Sequence, residues 1–171
     1  IRQLLLDLAV QIGLQGDPAS VAAVLRSLST IDADDPDFAL AIQRSLFARI
    51  RRDELRRLTK IGSTQLMFEQ LVTQARQTVQ DDAQPIDRRV EAVRTLGLAE
   101  FDTELQRLFH RLLGPSEPVP MQLAICETVA KFDHRKVADL LLDRWSQMTP
   151  SVRSSTVDTL LSRSAWTNRL L

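Results

Sequence analysis

With 171 residues the chain is long enough to bury one sizeable core, and its 22 basic and 22 acidic residues cancel. No global charge therefore draws it to nucleic acid or to an anionic membrane. A single Cys excludes an internal disulfide and a thiolate metal cage, and no apolar run approaches the roughly 20 residues that span a bilayer.

Tyr and strand-type alternation are both absent, and the five Gly fall where an apolar period breaks, so the chain is expected to be all-α. It opens on Ile1 without a signal-type segment and reads as a piece of a longer protein.

A first helix is expected from about Arg2 to Ile12, with Leu5, Leu8, Ala9 and Ile12 on one stripe and Gly13 as its stop. Asp17-Pro18 signals the next start: a capping carboxylate, then Pro where its missing N–H costs nothing. Val21, Val24, Leu25 and Leu28 line one face of that second helix. Asp32 to Asp35 reads as a link, and Asp35-Pro36 repeats the start signal. Phe38, Ile42, Leu46 and Ile50 follow at steps of four, in a helix expected to continue through Leu55 to Leu58. After Gly62-Ser63, a further helix carries Phe68, Leu71, Val72, Ala75 and Val79. Gln80 to Gln84 is a polar linker and the best internal boundary.

Beyond the linker, three segments begin and run alike, from Pro85, Pro118 and Pro150. Arg89, Gln122 and Arg153 share one register, 33 and then 31 residues apart. Val93, Cys126 and Val157 share the next, expected to be buried in all three, and Leu96, Val129 and Leu160 a third. A two-helix period of this length marks stacked helix hairpins. Between these segments lie a helix from about Glu100 to Leu113, with Leu105, Leu108, Phe109 and Leu112 inward, and one after Asp133 carrying Val137, Leu140, Leu141 and Trp145. Gly97 and Gly114 are expected as stops, Gly114 in a left-handed conformation before Pro115. A tenth helix starts at Ala165, leaving Trp166 and Leu170 exposed where the array is cut. The expected architecture is an α-solenoid of nine to ten helices forming one domain over 1–171. Within it, 1–80 are divergent pairs and 85–171 clearer repeats.

Candidate sites are few. Cys126 falls in an apolar register and reads as a small core residue. His110 and His134 lie in different repeats with no ligand partner at metal spacing, and read as solvated. Arg44, Arg49, Arg51, Arg52, Arg56, Arg57 and Lys60 form the one strong charge cluster, interrupted by Asp53 and Glu54. On a continuous helix Arg49, Arg52 and Arg56 share a face, so Arg49, Arg52, Arg56, Arg57 and Lys60 are the candidate interaction surface. Aromatic residues for base stacking are missing nearby. No phosphate loop, nucleophile elbow or zinc-protease motif occurs, so no catalytic or metal-binding residue is expected.

Arg89-x-x-Ala92-Val93-x-x-Leu96-Gly97 resembles the first-helix pattern of HEAT repeats. From Arg88 onward the chain is also similar to the large secreted haem-binding proteins of planctomycetes and their relatives. The segments that carry this likeness are Arg88 to Leu98, Leu112 to Pro115, Leu140 to Trp145, Thr149 to Arg153, and Leu160 to Trp166 running into Leu170-Leu171. That resemblance implies a HEAT-like region between a dehydrogenase-type β-propeller and a cytochrome c domain, in an extracytoplasmic protein. Haem c would belong to the parent, since Cys126 is followed by Glu-Thr-Val-Ala and no Cys-x-x-Cys-His is present. The expected role is a non-catalytic scaffold or protein-interaction module whose partners are flanking domains or another protein. The alternative is a HEAT-like module that binds nucleic acid or another anion through Arg44 to Lys60.

Overall fold

The computed structural model describes residues 1–60 and 62–170, without the side chains of 29–34, 63, 169 and 170. Among these residues the fold is all-helical, with eleven α-helices and no strand. The chain divides into two compact units, Ile1–Gln74 and Ala75–Leu171. The division falls inside a helix, upstream of the polar linker at 80–84.

The first unit holds α1 (Arg2–Gln15), α2 (Pro18–Asp34), α3 (Pro36–Phe47), α4 (Arg52–Leu58) and most of α5 (Gly62–Gln80). α1 and α2 both pack on α3. Gly13 does not stop α1. A Cβ there would collide with the carbonyl oxygen of Leu46, so this Gly lets α1 and α3 approach closely. The stop is Gly16, left-handed at φ 66°, whose N–H donates to the Ile12 carbonyl. Ala9 and Gly13 form the buried row of α1, which leaves Leu4 and Leu8 exposed rather than Leu8 in the core.

Asp17 caps α2 as expected, accepting from the N–H and hydroxyl of Ser20, which hold its carboxyl below the usual range. α2 runs on through Asp34, so the expected Asp-rich link shrinks to Asp35. That residue caps α3 by accepting from the Phe38 N–H at 3.1 Å.

The helix expected over 38–58 is two helices. On a straight helix Leu55 and Leu58 would point away from the Phe38–Ile50 stripe. The break after Phe47 turns Ile50, Leu55 and Leu58 all into the core. This added helix accounts for eleven where ten were counted.

The second unit holds the end of α5, then α6 (Ile86–Leu96), α7 (Thr103–Leu112), α8 (Val119–Val129), α9 (Lys136–Leu142), α10 (Pro150–Leu161) and α11 (Ser164–Leu170). α8 packs against both α6 and α10, and α9 against both α7 and α11. Val137, Leu140 and Leu141 are buried in α9, while Trp145 lies half-buried in a separate 3-10 turn, Trp145–Gln147.

Equivalent residues do equivalent work in this unit. Arg89 donates from Nε and Nη2 to the Val79 carbonyl, ten residues back. Gln122 donates to the carbonyl of Gly114, and Arg153 to that of Trp145, each eight residues back. The first helix of each pair thus supplies a side chain that holds a carbonyl at the end of the helix before it, as at Val79, or just past that end, as at Gly114 and Trp145. Thr95, Thr128 and Thr159 occupy one buried register, and Leu96, Val129 and Leu160 another. A second set of bonds spans about one repeat. Arg111 reaches Gln80, Arg144 the His110 carbonyl, Thr159 the Cys126 carbonyl and Arg163 the Ala130 carbonyl, over 31 to 34 residues.

Several expectations fail here for packing reasons. Gly114 lies one residue past the C-cap of α7 and lacks the positive φ expected of it. Gly97 does cap α6 as expected, in a right-handed conformation, and also makes room for the Thr128 methyl group. Val93 and Cys126 are fully buried but Val157 is half-exposed, since Thr156 takes the inward position and meets Cys126. Trp166 is buried, its indole N–H donating to the His134 carbonyl at 3.2 Å. The side chain of Leu170 lies outside the described residues.

Candidate functional site

The sequence-predicted basic cluster is divided by the break between α3 and α4. Arg44 sits in the last turn of α3, Arg49 in the intervening turn and Arg51 at the N-cap of α4. Arg52, Arg56 and Arg57 lie on α4, and Lys60 follows it. Arg49 therefore shares no helical face with Arg52 and Arg56, which keep their spacing of four. α4 carries Asp53 and Glu54 in its first turn and Arg56 and Arg57 in its last, the arrangement its dipole favours. Leu55 and Leu58 take its inner side, so the charges occupy the remainder.

Cys126 is fully buried, its Sγ 3.5 Å from the Thr156 hydroxyl. Burial pushes its thiol above the ordinary value, outweighing the hydrogen bond with Thr156. A protonated, inaccessible thiol is neither nucleophile nor ligand.

The two histidines are half-buried and partnered rather than freely solvated. Arg144 donates from Nε to the His110 carbonyl, and its Nη2 lies 3.2 Å from His110 Nδ1. A guanidinium only donates, so Nδ1 is the acceptor in this contact. His134 Nδ1 accepts from the Lys136 N–H, and its ring meets Phe101 edge-on at 5.4 Å.

Two clefts flank α7, and neither was anticipated from the sequence. One, of about 260 Å³, lies between the end of α5 and α7 and is lined by Arg76, Gln80, Glu104, Arg107, Leu108 and Arg111. The other, of about 360 Å³, lies between α7 and α9, with Arg107 again on its wall beside Gln106, His110, Lys136, Asp139 and Asp143. Arg76 is mostly buried and ion-paired to Glu104 and Asp102. Arg111 donates to the side-chain oxygen of Gln80 at 2.9 Å. Arg107 is exposed.

A sequence signal for these arginines existed. Arg76 and Arg107 stand 31 residues apart, and Arg111 and Arg144 stand 33 apart, the same interval as the repeats. Scattered over two helices and a turn, they form no run that a linear reading detects.

Among the described residues no three His, Cys, Asp or Glu side chains gather as a metal site, and no helix is long and apolar enough to cross a membrane. What the surface around α7 offers is shape and charge: paired grooves, a guanidinium shared between them, and carboxylates on the far wall. Compared with known protein families, curated proteins and solved structures, the chain finds no match.

Proposed function

We propose that this chain is a non-catalytic helical-repeat module, a HEAT-like solenoid segment that spaces or docks other domains. The observation that carries this reading is the recurrent reach-back of Arg89, Gln122 and Arg153, each to a carbonyl near the end of the preceding helix. One capping device used three times at intervals of 33 and 31 residues supports a stack of equivalent hairpins. Such stacks act through their surfaces.

The resemblance from Arg88 to Leu171 gives the module its setting: an extracytoplasmic protein in which a propeller and a c-type cytochrome domain flank the helices. Haem would belong to the cytochrome domain and substrate to the propeller, and this chain would hold the two in reach of each other.

The test is to delete the chain from such a parent protein. Electron transfer between propeller and cytochrome should fall, or their association should be lost, with each domain's own absorption spectrum unchanged. Unaltered electron transfer overturns the proposal. So does a one-to-one Soret band when haem is titrated into the isolated chain.

A further inference from the structure

We propose that the two clefts flanking α7 form a peptide-binding groove. Arg107 and Arg111 would take an acidic side chain of a partner protein, and Asp143 on the far wall a basic one. This rests on the interaction-module reading above and gives it a site.

The charge accounting of the first cleft motivates it. Arg76 is committed to Asp102 and Glu104, which leaves Arg107 and Arg111 as the two guanidiniums without a carboxylate partner among the described residues. Arg111 holds only the neutral side-chain oxygen of Gln80. The two stand four residues apart on α7, a spacing at which like charges repel. Each presents a planar fork matched to a carboxylate, and a bound carboxylate would relieve the repulsion. The site is concave and of side-chain size, and Leu108 supplies an apolar floor for a methylene stem.

The second cleft selects the class of partner. It shares Arg107 with the first and adds Lys136, Asp139 and Asp143. A nucleic-acid backbone threading both clefts would bring its phosphates against the exposed Asp143 carboxylate. A peptide with an acidic residue followed by a basic one can set the first against Arg107 and Arg111 and the second against Asp143 instead.

The test pans the purified chain against a phage-displayed library of random peptides. Selected peptides are then synthesised and their Kd measured by fluorescence anisotropy. The expected result is enrichment of Asp or Glu followed within a few residues by Lys or Arg. Arg107→Ala should weaken these peptides by about tenfold and the double variant Arg107→Ala/Arg111→Ala by more, whereas Arg57→Ala, in the other basic cluster, should change nothing. Circular dichroism checks that each variant keeps its helices. If Arg107→Ala does not, Arg107→Gln, which keeps the stem and loses the charge, takes its place. Failure to select any acidic peptide overturns the groove, and so does binding indifferent to Arg107. A short DNA duplex that binds more tightly than the peptides through the same arginines also overturns it. Peptides that bind, but elsewhere, remove the groove and leave the module reading intact, because the deletion experiment tests that separately.

Discussion

Arg89 reaches back ten residues to hold the carbonyl of Val79, and the same guanidinium lies 2.9 Å from the Glu117 carboxylate. One buried side chain thus ties the end of α5 to the loop that precedes α8. Arg89→Ala would leave the Val79 carbonyl uncapped and the mostly buried Glu117 carboxylate without its partner. The expected loss is about 2–4 kcal/mol in urea unfolding. Arg89→Gln should lose less, because Gln122 performs the same reach in the next repeat. If Gln is no better than Ala, the equivalence of the two positions fails.

Thr128 and Thr159 share a register but differ in what their hydroxyls do. The Thr128 hydroxyl is buried without a partner among the described residues, while that of Thr159 donates to the Ser155 carbonyl and lies 3.4 Å from the carbonyl of Cys126. Thr128→Val should therefore be neutral or stabilising, by up to about 1 kcal/mol. Thr159→Val should destabilise by about 1 kcal/mol. Opposite shifts in melting temperature check the pair, and equal shifts would refute the hydrogen-bond assignment.

Cys126 predicts a dependence on alkaline pH. An unfolded thiol titrates near 9.0, and burial raises the folded value. The folded state keeps its proton where the unfolded state has lost it. The contribution is therefore fully present below about pH 9 and is lost as pH rises through the folded value. The chain has no Tyr and only three Lys, so few other groups titrate in that window. Cys126→Val, which copies Val93, should flatten the alkaline fall in urea midpoint. Identical pH profiles for the two proteins would refute it.

Leu141 is fully buried in α9 with Val137 and Leu140 around it. Leu141→Ala should cost about 2–5 kcal/mol. Leu161→Ala, at an exposed position, serves as the control and should lie within about 0.5 kcal/mol of wild type. Matching melting temperatures for the two variants would contradict the packing of α9.

Helix existence was legible because each apolar stripe has one period and a cap with a mechanism, as at Asp17 and Asp35. Breaks were less legible. Nothing local to Phe47–Arg51 marks a stop. The turn exists because Leu55 and Leu58 cannot share a face with the Phe38–Ile50 stripe on a straight helix, which is a tertiary demand. Gly13 misled for a related reason: its missing Cβ serves a neighbouring helix, not its own end. The register of Arg89, Gln122 and Arg153 was visible, but their shared task was not, because a carbonyl acceptor leaves no trace in side-chain identity. The arginines around α7 were hidden by distance along the chain, and the cluster that stood out, Arg44 to Lys60, is split by the turn.

The bonds that span 31 to 34 residues also imply how this unit comes apart. Each joins one hairpin to its neighbour, so removing the last hairpin breaks the bonds of Arg163 and Trp166 and leaves those of Arg89, Gln122 and Arg144 in place. Pulled from its C-terminal end, the unit should peel one hairpin at a time, as a chain of weak clasps opens, instead of rupturing at once. Such a unit would give way in small steps under tension, and re-form from whichever helices remained packed.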